Sequence, residues 1–146
     1  MKIQLNPLTG RFEIRDDAVV ESIPGVAEAI WVSADFECEA AAAVGDFVYQ
    51  SPTTDDFVIV NVNNTVDYPT IGMIVRKYDS TNCQVALFGK LIIADVIDRA
   101  KQIYLSPTGR ATTSVPANGY LQILGYGTAT STMIFNPDTT RVKRAS

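Results

Sequence analysis

The sequence predicts an all-β protein, a small antiparallel β-barrel or sandwich with an extended N-terminal arm. Short apolar or alternating segments recur between residues 45 and 136, and most of the stretches between them carry Pro, Gly, Asn or Ser. Short strands at this spacing are typical of a barrel or a sandwich. The 146 residues are enough for one domain with its own core, or for one domain plus an arm.

The first predicted element is the arm, residues 1–17. Its apolar residues alternate with polar ones on both sides of a turn signal at residues 6–10. This pattern predicts a strand, a turn and a second strand, or an extended ribbon. Because an isolated hairpin is marginally stable in water, we expect the arm to lie on another surface.

Residues 18–44 are predicted to connect the arm to the main domain. Asp16 or Asp17 is a candidate cap for a short helix at 18–21, which Pro24 and Gly25 would end. Residues 35–40 alternate acidic with apolar residues, which predicts a half-buried strand with an acidic outer face. Residues 40–43 fit the continuation of a helix equally well.

Residues 45–137 are predicted to form the β-barrel domain, and residues 138–146 a basic C-terminal tail. The candidate strands are 46–50, 57–62, 71–78, 83–92, 102–105, 120–128 and 132–136. A single helical turn is predicted at residues 94–100.

Several candidate strands, such as 57–60 and 71–75, are apolar on both faces. One face of an antiparallel sheet normally meets water, so a second apolar face implies a covering layer or a subunit interface. Charged residues make up only 19% of the chain, below the usual share of about 25%. These features favour an oligomer; the alternative is a barrel whose own loops cover the second face.

The chain also contains an internal echo. Residues 48–53 resemble residues 103–108, since each segment runs from an apolar residue and Tyr into Ser-Pro-Thr. Residues 71–74 and 85–88 then have counterparts at 124–127 and 132–135. A pseudo-duplicated barrel would give this pattern, and so would chance similarity among strands and turns.

The composition argues against an enzyme. The chain has no histidine, which removes the commonest general base and metal ligand. The acidic pairs Asp16–Asp17 and Asp55–Asp56 are expected in turns or caps, and the glycines of 125–127 lack the context of a nucleotide loop. We therefore predict no catalytic, cofactor or metal site. Cys38 and Cys83 are expected to be buried thiols, although a disulfide is not excluded.

Charge and hydropathy limit the partners. The net charge of −4 argues against nucleic acid, and no apolar run approaches the length of a membrane span. The first twelve residues lack the apolar core of a secretion signal. Trp31 and the tyrosines are expected in cores and interfaces more than in a sugar site, and the Asn63 sequon is expected to be a turn. The basic tail either docks on an acidic partner or is a frayed end.

The order of several segments resembles the small β-domain of tailed-bacteriophage structural proteins. The segments are 45–49, 71–72, 102–109, 123–127 and 133–137. The opening at residues 5–12 is similar to that of many phage fibre and virion proteins, whereas residues 94–100 depart from the usual Gly-rich loop.

The resemblance implies a virion component without catalysis, often a homotrimer. We expect an exterior capsid decoration or head-fibre subunit that is made in the host cytoplasm and binds other virion proteins of the capsid, neck or tail. The alternative is a tail-associated fibre or receptor-binding subunit that recognises host surface glycan. The expected attachment residues are Leu5, Asn6, Pro7, Leu8, Thr9, Gly10 and Phe12.

Overall fold

The structure, a computed structural model, describes residues 3–6, 11–14 and 31–144. All regular structure in these ranges is β-strand, which confirms the predicted fold class, and they hold no helix that could cross a membrane. In chain order the strands are β1 Ile3–Asn6, β2 Arg11–Ile14, β3 Trp31–Cys38, β4 Phe47–Gln50, β5 Phe57–Val60, β6 Thr70–Lys77, β7 Asn82–Ile92, β8 Gln102–Leu105, β9 Ala111–Thr112, β10 Gly119–Leu121, β11 Ile123–Ala129, β12 Thr132–Phe135 and β13 Val142–Arg144.

Five strands close into a barrel. Their hydrogen-bonded order is β3-β5-β4-β6-β7, and β7 pairs back with β3. Strand direction cannot alternate all the way round a ring with an odd number of strands, so one neighbouring pair must be parallel. That pair is β3 with β5, where Cys38 lies opposite Val58. The other four pairings are antiparallel, as predicted.

A second layer continues the same sheet beyond the barrel. The last part of β7, from Gly89 to Ile92, pairs with β12, and the sheet then runs through β11 and β8 to β9. Two hydrophobic cores result. One holds Cys38, Ala42, Val48, Val58, Ile74, Cys83 and Val85; the other holds Phe47, Met73, Ala86, Leu91, Ile93, Ile97, Ile103, Leu105, Ala111, Leu124, Met133 and Phe135.

The two cores account for the strand at 71–75, which is apolar on both faces. Met73 and Ile74 are neighbours in β6 and are both buried, one in each core. Since successive residues of a strand point to opposite faces, β6 is covered on both sides. The chain's own second layer supplies that cover, so the apolar second face of β6, which favoured an oligomer, is an internal contact.

The internal echo corresponds to a repeated strand order. The sheet runs β5-β4-β6-β7 and then β12-β11-β8-β9, so each half has the same order of pairing along the chain. Val48 lies opposite Gly72 in the first half, and Ile103 lies opposite Gly125 in the second. The repeat is therefore confirmed at the level of topology, but only the first half is closed into a barrel, by β3.

The same two glycines fix the equivalence of the halves. A Cβ on Gly72 would collide with the carbonyl oxygen of Ala86, and one on Gly125 would collide with that of Ile134. Ala86 is therefore equivalent to Ile134, and Val85 to Met133. The sequence comparison, which matched residues 85–88 with 132–135, was shifted by one residue. The serines of the two Ser-Pro-Thr turns also match, because each hydroxyl accepts a hydrogen bond from the N–H two residues later.

Two helical predictions are wrong. Residues 94–100 form an irregular loop, in which the N–H groups of Ile97 and Ala100 donate to the carbonyls of Thr130 and Gly127 at 2.8 and 2.7 Å. These bonds to the second layer replace the local bonds of a helix. Residues 40–43 are not helical either: Ala42 donates to Glu39 across a tight turn at 3.1 Å. The helix expected at 18–21 lies outside the described residues.

β3 and β13 lie outside the predicted β-barrel domain of residues 45–137. β3 lies within the expected connection 18–44, yet it completes the barrel. The strand expected at 120–128 is interrupted at Gln122, whose buried side-chain amide bonds to both the N–H and the carbonyl of Thr70, at 2.9 and 2.8 Å. β13 lies within the expected tail and pairs with β10.

Candidate functional site

The predicted attachment residues fall on a separate two-stranded ribbon. β1 and β2 pair with each other and take no part in the nine-stranded sheet. Leu5 and Asn6 lie in β1 and Phe12 lies in β2, whereas Pro7, Leu8, Thr9 and Gly10 lie outside the described residues. The strand, turn, strand prediction for the arm is confirmed for its two strands.

The register of this ribbon separates apolar from polar positions. Ile3 lies opposite Ile14 and Leu5 opposite Phe12, whereas Gln4 and Asn6 lie opposite Glu13 and Arg11. Directly opposed residues belong to the same face of an antiparallel pair. The ribbon therefore has one apolar set of positions and one polar set.

An acidic depression lies at one end of the barrel. It is open, has a volume of about 570 Å³, and is lined by Asp35, Phe36, Glu37, Asp55, Asp56, Tyr78, Asn82 and Cys83. The alternation of β3 exposes Asp35 and Glu37, as predicted. The parallel pairing places Glu37 opposite Phe57, and its N–H donates to the carbonyl of Asp56 at 2.9 Å. We refer to Asp35, Glu37, Asp55 and Asp56 as the acidic end.

Hydrogen bonds order the rim of this depression. The Tyr78 hydroxyl donates to Asp35 at 2.9 Å, and this bond to a carboxylate raises the pKa of Tyr78. In the neighbouring β6–β7 turn, the backbone N–H groups of Thr81 and Asn82 donate to Asp79 at 2.8 and 2.9 Å. The bond from Thr81 is the main reason that the pKa of Asp79 lies below its usual value.

The two cysteines meet inside the barrel. Cys83 on β7 lies opposite Phe36 on β3. Cys38 is two residues after Phe36 on β3, and its side chain lies in the same core as that of Cys83. Both thiols are free and buried. Burial, followed by a hydrogen bond with Cys38, raises the pKa of Cys83 to about 12. Such a thiol is protonated at neutral pH and is a poor nucleophile.

A second exposed surface was missed from the sequence. It consists of Val32, Phe88, Lys90, Ile92, Tyr126 and Ile134, and we call it the Phe88 face. Val32 lies opposite Phe88, while Lys90, Ile134 and Tyr126 are aligned across three neighbouring strands. The β3–β7 register shifts between Val32 and Ser33, which marks a bulge at Leu87. Because of this bulge, Phe88 lies on the exposed face, although strict in-out alternation from Ala86 would bury it. The spacing of Phe88, Lys90 and Ile92 on one strand was the signal that could have found this surface.

The aromatic residues considered as a sugar site do not lie together. Trp31 is half-buried against the second core. Tyr49 and Tyr68 stack with ring centroids 5.7 Å apart, and the side chain of Tyr68 is exposed. This pair is a small aromatic platform that the sequence did not single out.

The basic tail folds back onto the domain. The Arg141 guanidinium lies 4.5 Å from the centre of the Tyr120 ring and donates to the carbonyl of Val66. Val142–Arg144 then continues as β13. The ordered strand replaces both expectations for residues 141–144, a frayed end and a free docking tail.

The acidic end can attract cations, but the described residues hold no cluster of three potential ligands able to bind a metal ion. Four carboxylates nevertheless line the concave surface at this end of the barrel. Gly125 and Gly127 allow close packing of the backbone. An added Cβ on Gly127 would collide with the carbonyl oxygen of Asp98.

Comparison of the chain with protein-family models, with curated proteins and with solved structures finds no match.

Proposed function

We propose that this chain is a non-enzymatic structural component of a phage virion, an exterior capsid decoration or head-fibre subunit anchored by its N-terminal arm. It is made in the host cytoplasm, joins the particle through another virion protein and associates with copies of itself, as a homotrimer.

The observation that carries the proposal is the separation of the ribbon from the nine-stranded sheet. β1 and β2 pair only with each other, and residues 15–30 lie between them and the first barrel strand. A two-stranded ribbon with one apolar set of positions is unstable alone and gains stability when a partner covers that set. Its open edges also allow strand addition to a partner's sheet.

The barrel domain supports this division of labour. It has two cores of its own, so it can remain folded while the arm is engaged elsewhere. The three arms of a homotrimer would then hold the trimer tightly even if each contact is weak, because the second and third contacts form at a high effective concentration.

Particle incorporation of ribbon variants tests the proposal. The double substitution Leu5→Ser and Phe12→Ser removes an opposed apolar pair, and Gln4→Ala with Glu13→Ala removes an opposed polar pair as the matched control. We expect at least a tenfold loss of incorporation for the apolar variant and near-normal incorporation for the control, with unchanged thermal unfolding of the barrel. Normal incorporation of a chain lacking residues 1–17 would contradict the proposal.

A second candidate is a tail-associated subunit that recognises host glycan. The observation that favours it is the Tyr49–Tyr68 stack, since an exposed aromatic platform suits the apolar face of a sugar ring. Tyr68→Ala should then abolish binding to a glycan array, whereas Tyr126→Ala should retain it. An array with no signal for the unaltered protein would rule against this role.

A further inference from the structure

The Phe88 face is more apolar than a solvated sheet surface requires. Val32, Phe88, Ile92 and Tyr126 are 49%, 52%, 55% and 49% exposed. They lie on three strands, β3, β7 and β11. Ile134 on β12 lies between β7 and β11 and makes the surface continuous. Grouped exposed apolar residues of this kind mark interaction surfaces, unlike apolar residues scattered singly.

Lys90 limits what can cover this face. It is the one charged member of the set, and it lies between Phe88 and Ile92 on the same side of β7. A two-fold contact between two Phe88 faces would bring two Lys90 ammonium groups together, with no carboxylate in the face to neutralise them. Like charges brought together in an interface cost several kcal/mol. The preferred occupant is therefore an acidic surface with some apolar area.

The acidic end of the same chain has that chemistry. Four carboxylates surround the half-buried ring of Phe36 and the exposed ring of Tyr78. The ion pairs within residues 31–144 join Lys101 to Asp98 and Arg110 to Asp46 and Asp95, so these four carboxylates take part in none of them. A cation from outside the subunit would meet carboxylates that form no ion pair with a lysine or arginine of residues 31–144.

The two surfaces also have a suitable placement. Val32 lies near the beginning of β3 and Glu37 near its end, which separates them by about 16 Å along the strand. A contact that joins one end of a subunit to the other end of the next is heterologous, and repeated heterologous contacts close into a ring or continue as a fibre.

We propose that the Phe88 face of one copy docks on the acidic end of the next copy, with Lys90 directed at the carboxylates. This inference rests on the proposed function only for its copy number, since three such contacts would close the expected trimer.

Charge exchange tests the contact, with native mass measured by light scattering. We expect about three times 15.9 kDa for the unaltered chain. Lys90→Glu and Asp55→Lys should each weaken association at least tenfold, and the two together should restore most of it. Lys143→Glu makes the same charge change on exposed β13 and should leave the mass unaltered. Phe88→Ser should weaken association without any change of charge.

Three results would overturn the inference: a monomer at every concentration, a dimer that Lys90→Glu strengthens, or a double variant no better than the single ones. Thermal unfolding of each variant separates loss of contact from loss of fold. If the protein is a monomer but its incorporation into the particle still depends on Leu5 and Phe12, the docking contact is wrong and the proposed function stands. If the protein is a trimer that is absent from the particle, the proposed function is wrong and the docking contact stands.

Discussion

At the scale of single residues, hydrogen bonds to carboxylates control the protonation of exposed phenols. Tyr78 donates to Asp35, and an equivalent bond from Tyr120 to Asp67 raises the pKa of Tyr120 in the same way. Burial is the main cause that raises the pKa of Tyr49. In each case the folded chain holds the phenolic proton more firmly than an unfolded chain does.

We predict that alkaline pH destabilises the protein through these tyrosines. The raised pKa of Tyr78 means that its contribution is fully present below pH ~10 and is lost as the pH rises through the folded-state value. Unfolding in denaturant between pH 8 and pH 12 should therefore show a falling midpoint, less steep in Tyr78→Phe. Val62→Ala, which changes an exposed residue and keeps every tyrosine, should follow the unaltered protein. A steeper fall in Tyr78→Phe would contradict the assignment.

At the scale of elements, the repeated unit depends on two close backbone approaches. Gly72 and Gly125 occupy equivalent positions, each against a carbonyl oxygen of the next strand. A methyl group at either position must push two paired strands apart, and the strands carry core residues on both sides.

We predict that Gly72→Ala and Gly125→Ala each lower the free energy of unfolding by about 3 kcal/mol, in the upper range for overpacking. Gly45→Ala is the matched control: Gly45 has a φ of +97° but nothing within 4 Å of an added Cβ. It should cost about 1–2 kcal/mol, the price of left-handed backbone alone. Equal effects at the three glycines, measured by denaturant unfolding, would show that packing is not what distinguishes them.

A strand end was predictable where turn residues follow it directly. β8, at Gln102–Leu105, was placed to the residue because Ser-Pro-Thr-Gly follows it. β9 and β13 have two and three residues, too few for a periodic pattern. Residues 94–100 failed as a helix because their N–H groups bond to β11–β12, a contact that no local signal reports.

The candidate surfaces were predictable only in part. Alternation in β3 gave the exposure of Asp35 and Glu37 correctly. The position of Asp55 and Asp56 beside them depends on the parallel β3–β5 pair, and so on closure of the ring. The Phe88 face depends on a bulge that changes the alternation of β7, and a run of apolar residues hides such a change.

At the scale of the whole molecule, β3 is the strand on which the barrel depends. It joins β5 to β7, and without it both strands would have open edges and the core around Cys38 and Val58 would be exposed. β1 and β2 pair only with each other and take no part in this ring.

We predict that a chain lacking residues 1–30 folds cooperatively, whereas a chain lacking residues 1–38 does not. The second deletion removes one fifth of the ring's strands and leaves two unpaired edges, which favour aggregation. Circular dichroism and thermal unfolding measure the difference. A cooperative transition in the shorter chain would mean that the second layer alone specifies the fold.

The closing strand is also the first of the ring to leave the ribosome. β3 ends at Cys38, but its antiparallel partner β7 begins only at Asn82 and ends at Ile92. At a synthesis rate of about 5–20 residues per second, β3 waits several seconds for that partner. During translation the barrel core is incomplete, so the apolar side of β3 is exposed on the nascent chain and can aggregate. We expect the acidic residues on the other side of β3, Asp35 and Glu37, to limit aggregation of this strand before the barrel forms.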